Sequence, residues 1–514
     1  MKRTTLFSIA LASMIILASF SPGSAQEPVT PNVSPEAKAL LEFIYSISGK
    51  YTLTGQHNYP ATKDRNSQFA AEYSGRTPAV WSTDMGFAGE GDTDSYLARP
   101  DIVKEAIRQH KKGAIITICW HAVPPTADEP VTFQPRGPFP PDSLASVQGQ
   151  LLDEQFKDLL TPGTRLYKRW EAQVDSVAYY LKQLQEAGVP ILWRPYHEMN
   201  GDWFWWGGRV GENSTADLYR QIYDRYANHH QLNNLIWVWN VDRPSTPIRK
   251  FSNFHPGNGY LDILSLDVYG SDFNQDYYDS LKVLSQGKPL LFGEVGNPPF
   301  PEILDSQPDW TLWVIWAGMV RNVSKKQYKM LYDDPRILTL DDPGFWKATA
   351  PFRKACDLPS LPLENRYTVD FTGNWFFNEE KSELGNAGTG MVAYRMKANQ
   401  DGEILFVKKY NIVEWGDDRV SDEEINLEGV EMRSQFWNSP RVSVASWDET
   451  TGSLKISSTV TFSRGGNTRE MKSSEEWKMA EDGKTLTIHQ ESTGFRGNLI
   501  STTLIYEKHG QENE

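Results

Sequence analysis

The chain is poor in cysteine, carries no excess of positive charge, and has no long apolar run past its first twenty residues. Each shortage excludes something. Two cysteines in 514 residues cannot build the disulfide framework that staples small secreted domains. Cys119 lies in an apolar run and Cys356 far downstream, so two free thiols are expected, with one disulfide between them as the alternative. Lys and Arg total 52 against 66 Asp and Glu, a formal net charge of −14. Nucleic-acid binding needs clustered cations to neutralise phosphates, so no such partner is expected. The one apolar run, Leu6–Phe20, follows Met1, Lys2 and Arg3 and ends in small residues up to Ala25. It is short for a bilayer span and has the charged start and small-residue finish of a signal peptide. A leader over 1–25 is therefore expected, cut near Ala25. No cysteine follows it to carry a lipid, so a soluble monomer exported to the periplasm or the medium is expected. No later stretch is apolar enough to cross a membrane.

What the chain does have is 18 tryptophans. They could be core residues, or flat platforms for a ligand with an apolar face, and only placement separates the two readings.

The pattern changes near residue 360. Before it, eight short apolar or β-branched runs recur: 51–55, 78–82, 114–120, 190–195, 235–240, 263–267, 289–292 and 312–316. Runs without polar alternation suit strands covered on both faces, as in parallel sheets. Helical patterns lie between them. In the clearest, Trp170, Val174, Val177, Leu181 and Leu184 fall on one helix face, and Gly188 follows as a stop. Eight strand–helix units over 26–356 predict a (β/α)8 barrel. An open doubly wound sheet is disfavoured, since no Gly-rich dinucleotide turn opens a unit. After a Pro-containing linker at 357–366, period-2 alternation and turn residues predict an antiparallel meander over 367–514, closed or nearly so.

On a (β/α)8 barrel the active site stands at the C-terminal ends of the strands. The fourth run ends in Arg194, His197, Glu198 and Trp203, the sixth near Tyr269, the seventh at Glu294, the eighth at Trp316 and the third at His121. Glu198 and Glu294 are three units apart and so face one bowl. Two facing carboxylates are what glycoside hydrolysis needs: one protonates the leaving oxygen, the other attacks the anomeric carbon or activates water. The alternative for either Glu is a buried ion pair with Arg194. His197-Glu198 is not a zinc-protease motif, because Gly201 stands where the second His is required. Neither a Walker A motif nor a Gly-x-Ser-x-Gly elbow is present. The chemistry calls for no metal and no cofactor. Arg194 and Tyr269 would hold Glu294 ionised, while His197 and Trp203 give Glu198 a partly apolar setting that favours its protonated form. The loop Ala122–Glu154, stiffened by Pro124, Pro125 and 138–141, is expected to shape a cleft on the rim.

The run from Trp193 to Gly207, with Phe292–Gly296, Trp120-His121 and the segment Tyr332–Arg336, resembles glycoside hydrolase family 26, whose best-known members are β-mannanases. The resemblance implies Glu198 as acid/base and Glu294 as nucleophile, with retention of configuration. It further implies that His121, His197, Trp203, Tyr269 and Trp316 line the subsites beside the cleaved bond of a β-mannan polysaccharide. A mixed-linkage β-glucanase, a β-1,3-xylanase and an inactive carbohydrate-binding protein are the alternatives. Gly373, Asn374 and Trp375, followed by the meander, resemble the lipocalin-like β-barrels more loosely; carbohydrate, a small apolar ligand or no ligand stay open for that domain.

Overall fold

The structure is a computed structural model. It describes residues 27–509 except 90–96, 136–142, 364–366, 368, 386–391, 414–416, 437–438, 449, 465–466 and 494–497. The expected leader and its cleavage site lie outside the described residues, as do Pro138, Pro140 and Pro141. The chain separates into two compact units, Met1–Leu363 and Glu364–Glu514.

The first unit is a closed parallel barrel of eight strands: β1 (Gly55–Asn58), β2 (Val80–Asp84), β3 (Ile115–Trp120), β4 (Ile191–Pro195), β5 (Leu235–Asp242), β6 (Ile263–Val268), β7 (Leu290–Val295) and β8 (Trp310–Ile315). Each pairs with the next, and β8 closes the ring on β1 through Gln56 and Ile315. All eight expected strands are present, most with shifted ends. The first starts at a short Thr52–Leu53 pair and continues as β1, because Gln56, His57 and Asn58 are polar yet fully buried. The expected helix spans Arg165–Glu186, capped by the Thr164 hydroxyl, and all five residues of its stripe are buried. Its apolar face supplies most of its stability, since propensity alone holds helices weakly.

Alternation along the strands divides the core in two. Leu192, Ile236, Ile263, Leu291 and Leu312 fill the lower barrel interior, with Phe43, Phe345 and Phe352 from two helices, Pro35–Ile47 and Pro343–Ala355. Their neighbours Trp193, Trp237, Trp239, Phe292 and Trp313 face outward to the helical layer. These tryptophans are core residues. The polar ends of the strands are left for the opposite mouth.

The second unit is an antiparallel meander of ten strands: β9 (Gly373–Phe377), β10 (Arg395–Asp401), β11 (Ile404–Asn411), β12 (Arg419–Asn426), β13 (Met432–Phe436), β14 (Ser439–Asp448), β15 (Ser453–Arg464), β16 (Asn467–Met479), β17 (Thr485–Thr493) and β18 (Leu499–His509). Strand β18 returns to pair with β9, so the sheet runs from β12 through β9 and β18 to β13 and is nearly closed. Its interior holds Trp375, Leu405, Ile456, Trp477, Leu486 and Tyr506. Apolar alternation is weak on β12 and β16. Inward positions on β12 and β16 are charged: Glu423 and Glu475 are buried, and Lys409 and Arg441 pair with them. A buried charge needs such a partner, and it hides the apolar alternation that marks a strand.

Candidate functional site

Five carboxylates (Asp84, Glu198, Asp242, Asp267 and Glu294), two histidines (His121 and His197) and Arg194 gather at the C-terminal mouth of the barrel. The backbone there is shaped to deliver them. After β4 the chain turns sharply, with Tyr196 and Glu198 both at φ +50. A left-handed conformation is costly for residues with a Cβ and persists where the surroundings enforce it. Here Asn240 of β5 is the enforcer: its Oδ1 accepts the Glu198 N–H at 2.8 Å, and its Nδ2 donates to Ser265 Oγ and Asp267 Oδ1 at 2.7 and 2.8 Å.

Glu294 is delivered by a different device. The β6–β7 register steps from Leu266↔Phe292 to Asp267↔Glu294, leaving Gly293 as an extra residue. Such a bulge re-aims the side chain that follows it. A Cβ at Gly293 would collide with Arg194, Ser265 and Asn240, so only glycine fits. Glu294 is then held at both oxygens: Arg194 Nη2 donates to Oε1 and the Tyr269 hydroxyl to Oε2, each at 2.8 Å.

The two glutamates sit in contrasting settings. Glu198 is 8% exposed. Burial, reinforced by the charges of Asp267, Glu294 and Asp242, pushes its carboxyl well above the ordinary range, and the hydrogen bond from Trp203 only partly opposes this. Glu294 has a fixed cation and a phenol donating to it. Arg194 is itself buried; burial works against its charge, but Asp267 and Glu294 outweigh that and keep it cationic. Arg194, expected both beside the substrate and as the partner of Glu294, fills the second of these roles. The structure places it under Glu294, with its guanidinium directed at Asp267 and Glu294, so it acts through the glutamate. Asp267 and Glu294 both press on Glu198, and carboxylate oxygens of the three lie within 4.8 Å of one another. That cluster, and Asp84 with Cys119 and His121, have the donor types of a cation site. Arg194 already supplies the positive charge in the first.

His197 and His121 meet edge to face with centroids 4.4 Å apart. Burial, with the charges of His121, Arg194 and His57 adding to it, drives His197 well below its ordinary pKa, so its ring is neutral. His121 is anchored by Asp84 at the end of β2, which accepts its backbone N–H at 2.9 Å and lies 2.7 Å from Nδ1. Trp203 and Trp316 are half-buried, whereas Trp120, Trp205 and Trp206 are fully buried. Trp203 reaches back to give its indole N–H to Glu198 Oε2 at 2.7 Å. Gly201 makes room for it, since a Cβ there would overlap the Trp203 ring.

The loop after β3 packs onto this segment, as expected of a cleft wall. Trp205 Nε1 donates to Ala122 O at 2.7 Å, Gly149 N to Trp203 O at 2.8 Å, and Phe133 lies 5.5 Å from the His121 ring. Cys119 and Cys356 are both free thiols.

All eight residues expected at the site therefore lie at one mouth or directly beneath it. Asp84, Asn240 and Asp267 were not singled out from the sequence. Each stands at or near a strand's C-terminal end, which is the one signal that would have found them.

The comparisons with known proteins concern the first unit. A family model described as Glycosyl hydrolase family 26 matches residues 29–342. A protein of Thermothelomyces thermophilus named mannan endo-1,4-beta-mannosidase is 31% identical over 329 residues, covering 62% of this chain and 63% of its own. Two curated relatives from Piromyces sp, with the same activity in their names, are covered over 48% and 45% of their length. The chain thus spans less than two thirds of these relatives. Among solved structures, GH26A from Muricauda sp. is 44% identical with a TM-score of 0.55, over 61% of this chain and 98% of that one. A GH26-CBM35 beta-(1,4)-mannanase of Podospora anserina is 28% identical with a TM-score of 0.53, over 63% and 71%.

Proposed function

Because the chain belongs to glycosyl hydrolase family 26, we propose that it is an endo-β-1,4-mannanase that cuts mannan, glucomannan or galactomannan with retention of configuration. The observation that carries this reading is the placement of Glu198 and Glu294. One oxygen of each lies within 4.8 Å of one of the other, a close approach that favours the retaining arrangement, in which the carboxyls stand ~5–5.5 Å apart, over the wider inverting one.

Glu294, held by Arg194 and Tyr269, attacks the anomeric carbon while Glu198 gives its proton to the departing glycosidic oxygen. A glycosyl-enzyme ester forms on Glu294. Glu198, now ionised, takes a proton from water, which attacks the same carbon and frees Glu294. Burial keeps Glu198 protonated for the first step, and the Trp203 N–H supports its anion for the second. Neutral His197 adds no positive charge against the oxocarbenium-like transition state. Trp203 and Trp316 offer flat faces to the sugars on either side of the cleaved bond. Every step is supplied by these side chains.

The test is hydrolysis of a panel of β-mannans, β-glucans and β-xylans, with product sizing and proton NMR of the first anomer released. Mannan fragments of mixed length and an initial β-anomer are expected. Cleavage confined to glucan or xylan, or an initial α-anomer, would overturn the reading. We also assign residues 1–25 to a cleaved export leader, on the strength of their charged start and apolar run. N-terminal sequencing of protein recovered outside the cytoplasm should begin close to Gln26, and an intact Met1 there would refute it.

A further inference from the structure

Trp316 begins the segment that leaves β8, where a side chain would ordinarily be free to swing. Its neighbour Ala317 stands at φ +43, a left-handed conformation that a residue with a Cβ holds only under constraint. The constraint comes from the far side of the closure seam, from two adjacent residues of β1. Gln56 is buried, and its Nε2 donates to Ile315 O at 3.2 Å and Ala317 O at 2.6 Å. One amide therefore grips the backbone on both sides of Trp316. The next residue, His57, lays its ring against the indole with centroids 3.9 Å apart and planes 15° apart. Ser82 on β2 fixes that imidazole from the other side, 3.0 Å from Nδ1.

His57 is fully buried, and burial lowers its pKa to about 3, with Arg194 and His121 adding to the effect and Asp84 opposing it. The ring is thus uncharged near neutral pH. Its Nδ1 is committed to Ser82 and its flat face to the indole. Its role must be exerted through the indole that it touches, one face of which it covers.

We propose that Gln56 and His57 are positioning residues that hold Trp316 as a pre-set stacking platform for a pyranose ring, and so tune substrate affinity more than bond cleavage. The proposal rests on the reading of Trp316 as a sugar subsite. Preorganisation of this kind lowers the ordering cost that binding would otherwise carry, and aromatic packing sets the scale of the effect.

Steady-state kinetics on a soluble manno-oligosaccharide test it, with circular dichroism confirming the fold of each variant. Trp316→Ala should raise KM. His57→Ala should raise KM by about 3- to 10-fold with kcat nearly unchanged, and His57→Phe, which keeps a flat ring, should restore most of the loss. His57→Ala combined with Trp316→Ala should be no worse than Trp316→Ala alone, since both act through one side chain. A raised KM in Trp316→Ala beside an unchanged KM in His57→Ala would overturn the proposal alone. So would equal losses in His57→Ala and His57→Phe, or additive losses in the double variant. An unchanged KM in Trp316→Ala would remove the subsite reading and the proposal with it.

Discussion

Trp203 donates its indole N–H to the carboxylate of Glu198, five residues earlier, at 2.7 Å. A donor aimed at a carboxylate favours its ionised form, and here it opposes the upward push of burial. The Trp203 indole therefore raises the acidity of Glu198 against the push of burial. Arg249 caps this arrangement, its guanidinium 5.7 Å from the Trp203 ring and paired with Asp202.

Trp203→Phe keeps a ring and removes the donor. Glu198 should then hold its proton to higher pH, so the basic limb of the kcat/KM profile moves to the alkaline side. The second step, in which the Glu198 anion acts as base, loses its stabilising partner, and kcat should fall by about 10- to 100-fold. A pH–rate profile checks both. A basic limb that stays in place would show that the indole N–H does not govern Glu198.

Gly293→Ala places a methyl group where Arg194, Ser265 and Asn240 already stand. Overpacking of this kind costs about 1–3 kcal/mol. The larger consequence is displacement of Arg194 from Glu294, so turnover should fall by at least about 100-fold, measured beside the thermal midpoint of the purified variant.

The second unit permits a separate test. Arg441 and Glu423 form a close ion pair inside the meander, with Lys409 bridging Glu423 and Glu475 at 3.3 Å each. Arg441→Met alone leaves a carboxylate buried with one cation fewer and should cost about 3–5 kcal/mol. Arg441→Met with Glu423→Leu should recover most of that loss. Denaturant titration followed at the second unit's transition distinguishes the two variants, and equal losses would show that the pair is not the source of the cost.

His110 supplies a pH-dependent stability. Burial, with the Arg353 charge adding to it, lowers its pKa to about 4 from 6.5. Between those values the unfolded chain binds a proton that the folded chain does not, so stability falls as pH drops through that window. His110→Gln should make the fall shallower by up to about 3 kcal/mol at pH 4. Urea midpoints of both proteins at several pH values between 4 and 7 measure the difference.

The sequence reveals the barrel well because its strands are apolar on both faces, and runs such as Ala114–Trp120 leave little else to conclude. Glu198 and Glu294 are legible for the same reason, since each follows such a run closely. Asp84, Asn240 and His57 are not. Their roles depend on which residue of a neighbouring strand they meet, and that is a matter of register and bulges. The orienting contact of His121 with Asp84, for example, joins residues 37 apart in the chain. In the second unit, β12 and β16 are hard to read because their inner faces carry glutamates whose partners lie on other strands.

Both units share a further property of topology. In each, the pairing most distant in sequence among β1–β8 or β9–β18 joins the earliest strand to the latest: β1 with β8, and β9 with β18. Loop-closure entropy must be overcome before such a seam contributes anything, which makes both closures slow relative to local helix formation. During synthesis the first seam can form once β8 has emerged, before any strand of the second unit exists. The second must wait for β18. Gln56, His57 and Trp316 meet at the first seam, so their packing forms only when β8 joins β1, and a nascent chain halted before β8 would carry Glu198 and Glu294 without it.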